Sequence, residues 1–222
     1  MAQVTKDVEK LLSFFDSDAK ARTHSSSLKA LVGEELMLAL LIEYFRLQGT
    51  AADVVDRVCT TGARAGYRLD GWVRIQHPTP AGVTHYQTEV KSWSAHGVGG
   101  GSLYLGANST GAELATFKVK VWERYWRDGR FLADGLNKVL VPMKAPEGAA
   151  RILPLACLWA PVHPTGLAEP FFEVATIGAD FPSVCVFSAS SFLRGLGQAH
   201  VVLPLPTFAQ RMTRLGEMFV FA

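Results

Sequence analysis

Three side chains stand out as groups able to do chemistry together: the carboxylates of Asp70 and Glu89 and the ammonium of Lys91. Eighteen residues separate Asp70 from Glu89, and Val90 alone separates Glu89 from Lys91. Carboxylate oxygens are hard ligands, suited to Mg²⁺ or Mn²⁺, ions that keep several waters and bind through one or two carboxylates. Such an ion polarises a phosphodiester and lowers the pKa of a bound water. A lysine beside the carboxylates positions that water or neutralises charge building up in the transition state. The backbone carbonyl of Val90 is a candidate third ligand.

A β-hairpin is the element expected to hold these groups together. Its first strand reads as Leu69 to Ile75, its turn as His77 to Gly82, and its second strand as Thr84 to Trp93. The two arms of one hairpin bring the Asp70 end close to the Glu89–Lys91 end. Side chains alternate along a strand, so Gln87, Glu89, Lys91 and Trp93 share one face, and Tyr86, Thr88, Val90 and Ser92 the other. A helix precedes the hairpin. Leu28 to Gln48 has the strongest helical pattern in the chain and is closed by Gly49 as a residue suited to the left-handed C′ position. Glu34 falls on its apolar stripe with Met37, Leu38, Leu41 and Phe45, while Glu35 shares its azimuth with Glu43 and Arg46, the more solvated side. A carboxylate on a buried face is costly without a partner. Glu34 is therefore either satisfied by a neighbour or belongs to the site, with Glu35 as the alternative helix carboxylate.

The D…E-x-K arrangement resembles the PD-(D/E)XK superfamily of nucleases, which have the restriction-endonuclease-like fold. The resemblance rests on Asp70, on Glu89-Val90-Lys91, and on an acidic residue of the preceding helix supplied by Gly33-Glu34-Glu35. It spans roughly the helix at 28–48 through a second helix at 112–127. It implies an α/β fold in which helices flank a mixed central β-sheet. It also implies Asp70, Glu89 and Glu34 in the shell of a Mg²⁺ (or Mn²⁺) ion, with the Val90 carbonyl as a further ligand and Lys91 as the catalytic lysine. Its implied activity is phosphodiester hydrolysis, in DNA before RNA, in a setting such as restriction, antiviral defence or repair. Gln87 and Ser92 are candidates to line the site. Leu69 stands where the superfamily often has proline, and no Q-x-x-x-Y follows, so a RecB-like subgroup is not indicated.

Plainer readings exist for each piece. Asp70-Gly71 also suits a turn, and Glu89 and Lys91 also suit the solvated face of an antiparallel strand. Ala112 to Arg127 reads as an amphipathic helix whose Lys118, Lys120 and Arg124 are either ordinary surface cations or phosphate contacts. A second function class is a non-catalytic nucleic-acid-binding or assembly subunit on the same fold. A third is a metal-dependent phosphohydrolase acting on nucleotides. The six histidines show no paired metal-ligand spacing, and no G-x-S-x-G elbow is present.

Composition narrows the setting. A net charge of +2 gives no broad basic field, so any nucleic-acid contact is a local patch. The three cysteines lack C-x-x-C spacing, which fits a reducing cytoplasm rather than a disulfide framework or zinc site. No secretory signal is visible at the N-terminus, and the longest apolar run, Leu36 to Ile42, is too short to span a bilayer. No membrane partner is expected; a homodimer or a partner subunit would suit cutting of both strands. The remaining expectations are a helix over Thr5–Phe15 capped by Thr5, a polar linker, a short helix or strand after Thr50 and a glycine loop over 95–102. From Lys138 onward the pattern turns to β, with strands at 138–142, 152–159, 171–177 and 184–187. Short helices are expected at 188–195 and 207–216, with an apolar segment over 218–221. The whole reads as one domain, 1–222, with a core over about 28–160.

Overall fold

Near-continuous apolar runs such as Ile152–Leu158 and Val184–Phe187 build a sheet with two buried faces, and that sheet frames everything else. A computed structural model describes residues 3–17, 26–56, 69–77, 82–91, 126–128, 130–132, 139–159 and 169–205. In chain order the elements are β1 (Gln3–Asp7), α1 (Val8–Ser17), α2 (Ser26–Leu47), β2 (Ala51–Asp56), β3 (Gly71–Gln76) and β4 (Val83–Lys91). There follow β5 (Trp126–Arg127), β6 (Arg130–Leu132), β7 (Ile152–Leu158), β8 (Phe171–Ile177), β9 (Ser183–Ser188), α3 (Ala189–Gly195) and β10 (His200–Pro204).

The protein is α/β. Six strands in the order β2-β3-β4-β7-β9-β8 make the central sheet, and the short β6 and β5 extend it beyond β8. Pairing is antiparallel through β2-β3-β4, parallel through β4-β7-β9, and antiparallel again at β9-β8. The sheet is therefore mixed, with the hairpin at one side and three parallel strands across its middle.

Register sorts the side chains onto two faces. Val73, Ile75, Tyr86, Val90, Leu155, Cys157, Cys185 and Phe187 form one core with α2 and α3. Trp72, Gln87, Glu89, Ala156, Val186 and Phe172 belong to the opposite face, since cross-strand partners share a face. Both faces are buried in the middle of the sheet. Burial on two sides is what parallel strands require.

Over Glu35–Leu41 helix α2 is buried all round. Every residue from Glu35 to Leu41 is inaccessible, because the sheet packs on one side while β10 and α3 also touch it. Gly49, at φ 72°, follows it in the left-handed conformation expected at C′. A separate two-stranded ribbon pairs β1 with β10, tying Gln3 to Pro204 and Asp7 to His200. The Thr5 helix start is thereby corrected. Thr5 lies within β1, and Asp7 takes the capping role, its Oδ1 accepting the Lys10 N–H at 2.8 Å.

Two further expectations are corrected. Residues 139–142 form turns and bends rather than a strand, and Trp126–Arg127 is strand β5 rather than the end of a helix. The loop at 95–102, the rest of the 112–127 helix and the segments 207–216 and 218–221 lie outside the described residues. No described helix is long and apolar enough to cross a membrane.

One consequence of the sheet is a pH dependence. His85 is buried on the hairpin beside Arg74, whose guanidinium forks onto the Asp53 carboxylate at 3.0 and 2.9 Å. Burial first, and Arg74 second, lower the His85 pKa below its ordinary 6.5, against an opposing pull from Asp53. Its Nδ1 is buried without a hydrogen bond, consistent with a neutral ring. The neutral form is favoured in the folded state, so this stability is full above the unfolded pKa and is lost as pH falls below it. The urea midpoint should drop on acidification from about pH 7.5 to about pH 5.5, and His85→Gln should flatten that drop. A drop of equal size in the variant would contradict this assignment.

Candidate active site

The chain reverses direction so that Asp70 and the backbone of the Glu89–Lys91 triplet lie at one end of the sheet. Strands β4, β7 and β9 run parallel, so Lys91, Leu158 and Ser188 mark a shared C-terminal edge. Strand β3 runs the other way and begins at that edge with Gly71 opposite Thr88. Ligand sites of open α/β sheets commonly lie outside such carboxyl ends.

Asp70 sits where β3 begins, and its contacts are specific. Its N–H donates to the Thr88 carbonyl at 3.1 Å, continuing the hairpin ladder by one bond. Its Oδ2 then accepts the Val90 N–H at 2.6 Å, in the place a further backbone acceptor of β3 would take. The N–H and C=O of one strand residue point the same way, so the Val90 carbonyl faces the Asp70 side as well. The Cys157 thiol, beside Val90 on β7, is held well above its ordinary range by burial and, second, by the Asp70 carboxylate. Asp70 is thereby fixed beside the centre of the Glu89-Val90-Lys91 triplet.

Glu89 lies opposite Ala156 of β7, on the face of Trp72 and Gln87, and is only 2% exposed. The reading of Glu89 as a solvated strand residue does not hold. Lys91 closes β4 opposite Leu158; its side chain lies outside the described residues, as do Ser92, Lys118, Lys120 and Arg124.

The helix carboxylates differ from expectation. Glu35, expected on the solvated side, is 2% exposed, and Glu34, expected on the apolar stripe, is half-buried. Glu43, on the same azimuth as Glu35, is buried too and takes both guanidinium contacts of Arg46 at 2.7 Å. With α2 enclosed on most sides, the apolar stripe does not separate inside from outside. Helix α2 packs on the sheet face of Tyr86 and Val90, the face opposite Glu89.

Among the described residues no three or more His, Cys, Asp or Glu side chains gather closely enough to hold a metal ion. Neither Glu34 nor Glu35 thus joins Asp70 and Glu89 in a single ligand cluster, and the expected four-residue set is not assembled. What remains at the strand edge is the Asp70 carboxylate on the Val90 N–H, the Val90 carbonyl on the same side, and Glu89 as the preceding residue, on a buried face. That donor set suits Mg²⁺ or Mn²⁺, which take one or two carboxylates and fill the rest of an octahedron with water.

Gln87 is the residue whose role the sequence reading missed most. Expected to line the site or touch nucleic acid, it is 0% exposed. Its Nε2 donates to the carbonyls of Val139 and Val141, the latter at 2.9 Å, and its Oε1 accepts the Met143 N–H at 3.2 Å. Both amide hydrogens are used, which leaves no donor for a base or phosphate. These bonds account for the absence of a strand over 139–142: a side-chain amide, not a neighbouring strand, satisfies that backbone. On a strand face that also carries His85 and Glu89, Gln87 gives no local signal of this role, since its partners lie more than fifty residues later.

Comparison with known proteins finds no matching family model, no matching curated protein and no matching solved structure.

Proposed function

We propose that the chain is a Mg²⁺-dependent nuclease that hydrolyses phosphodiester bonds, with DNA as the preferred substrate. The observation that carries this reading is the hydrogen bond from the Val90 N–H to the Asp70 carboxylate. It binds the aspartate to the middle of the E-x-K triplet, the juxtaposition that the D…E-x-K resemblance requires. The resemblance to the PD-(D/E)XK superfamily supplies the chemistry, and the mixed α/β sheet is compatible with it.

In this reading Asp70, Glu89 and the Val90 carbonyl hold the cation. When bound, the ion supplies charge neutralisation at the scissile phosphate and a water of lowered pKa. Asp70 contributes a carboxylate whose orientation is set by its bond to Val90, so little reorganisation is needed on binding. Glu89 contributes a carboxylate held on a buried face, where opposite charge is felt more strongly than in water. Lys91 balances charge on the attacked phosphate and orients the nucleophile. Cations expected on the 112–127 segment, Lys118, Lys120 and Arg124, would contact the phosphate backbone, and Glu34 or Glu35 would act from α2 through water rather than as direct ligands.

A second reading, a nucleic-acid-binding or assembly subunit without catalysis, is favoured by one observation: the helix carboxylates do not join Asp70 and Glu89 in a ligand cluster. Mn²⁺ titration separates the two. The nuclease should bind Mn²⁺ at one site that Asp70→Asn removes. Titration of the wild-type protein without saturable binding would favour the subunit.

A further inference from the structure

We infer that Gln87 is a positioning residue for the proposed site, acting through the segment Val139–Met143 rather than by touching substrate. The inference rests on the nuclease reading above and deepens it.

The segment has no regular structure of its own apart from an isolated bridge at Met143, yet Val139, Leu140 and Met143 are buried. Irregular backbone inside a protein needs partners for its polar groups, because each buried amide left unsatisfied is costly. One side chain provides three of those partners, the carbonyls of Val139 and Val141 and the N–H of Met143. The carboxamide is suited to this because it offers two donors and an acceptor in one plane. No hydrocarbon or carboxylate of the same size can do so. A glutamate would aim negative oxygen at two carbonyls, and a leucine would strand all three groups.

Position gives the clamp its consequence. Gln87 precedes Glu89 by two residues on one strand, on the same face, so the two side chains leave β4 roughly 7 Å apart. Val139–Met143 is thus held by Gln87 over the same sheet face from which the Glu89 side chain leaves β4. Trp72, directly across from Gln87, is buried on the same face. The segment then leads through Met143 to Lys144, which is exposed. Loosening the clamp therefore frees that segment while leaving Asp70 and its bond to Val90 in place.

This assignment differs measurably from a nucleic-acid contact. A residue that binds substrate raises KM when removed, whereas one that holds the site in its working geometry lowers kcat. For Gln87→Leu we expect kcat for DNA cleavage to fall roughly 10- to 100-fold, the effect of a misplacement on the order of 1 Å. KM should stay within about twofold. Hydrogen exchange gives a readout that needs no activity: the Met143 amide should lose protection in Gln87→Leu while the β7 amides keep theirs. Gln87→Glu should lose that protection at neutral pH and regain part of it on mild acidification, when the protonated carboxyl can donate to one carbonyl. A raised KM with unchanged kcat, or unchanged Met143 exchange, would overturn the inference. Should the wild-type protein neither bind Mn²⁺ nor cleave DNA, the nuclease reading fails and the positioning role falls with it. A wild type that does both, beside a Gln87→Leu variant with identical kcat, would remove the positioning role alone.

Discussion

Replacing Glu89 by glutamine is expected to reduce Mg²⁺-dependent cleavage by about 10²- to 10³-fold or more, the scale lost when one preorganised electrostatic group is removed from an active site. The substitution keeps the volume of a side chain that is 2% exposed, so the sheet around it should persist. Far-ultraviolet circular dichroism and the urea midpoint check that point, and cleavage is followed separately on the same preparation. Lys91→Ala should have a comparable effect on rate, because the E-x-K triplet assigns charge neutralisation to that ammonium. Cleavage in either variant at the wild-type rate would remove the triplet from the chemistry. The two variants should differ in metal binding: Glu89→Gln weakens Mn²⁺ binding, whereas Lys91→Ala leaves it intact or strengthens it by removing a like charge.

Asp70 offers the second large effect, and here two substitutions separate structure from chemistry. In Asp70→Ala the Val90 N–H loses its acceptor at 2.6 Å, and such a loss costs about 1–3 kcal/mol when the group is partly buried. Asp70→Asn keeps an oxygen that can accept the same N–H, so its cost should be roughly 1 kcal/mol or less. Both remove the negative charge, so both should abolish Mn²⁺ binding and cleavage. Asparagine thus gives an inactive protein of near wild-type stability, and alanine an inactive and weakened one. Urea unfolding followed by tryptophan fluorescence measures the first property, and titration with Mn²⁺ the second. An Asp70→Asn variant that still binds Mn²⁺ with wild-type affinity would show that the carboxylate serves only as a backbone cap.

The elements that carry the site were legible in sequence where local pattern and tertiary environment agree. Strand β8 runs over Phe171–Ile177 as the alternation indicates, and α3 begins just after Ser188, whose Oγ accepts the Ser191 N–H at 3.3 Å. Strand β3 begins two residues and β4 one residue from expectation, residues 92–93 lie outside the described residues, and the Asp70 end does meet the E-x-K backbone. Other features depend on partners far away in the chain. Strand β1 is completed by β10, nearly two hundred residues later, so a capping threonine was the best local reading of Thr5. The burial of Glu35 depends on the enclosure of α2 from several sides, which the periodicity of one helix does not reveal. Residues 139–142 have the composition of a strand, yet the carbonyls of Val139 and Val141 bond to the distant Gln87 side chain rather than to a neighbouring strand. In each case a long-range contact overrides a local preference.

The candidate site shows the same division. Residue types and spacing indicate which groups can act together, and the fold determines which of them meet. Asp70 and the E-x-K strand meet through a hydrogen bond that no spacing rule specifies. Helix α2, which carries Glu34 and Glu35, packs on the sheet face opposite Glu89, a distinction that rests on strand register. Gln87 shares the Glu89 face as alternation requires, yet it faces protein rather than solvent.

The central claim is a metal-dependent phosphodiesterase at Asp70, Glu89 and Lys91. It is tested most directly by incubating the full chain with supercoiled plasmid, single-stranded DNA and RNA in Mg²⁺, in Mn²⁺ and in EDTA, with Glu89→Gln alongside. The wild-type protein should cleave DNA with either metal and not in EDTA, and the variant should cleave little or none. Intact substrates in every wild-type reaction, or equal cleavage by the wild type and Glu89→Gln, would contradict it.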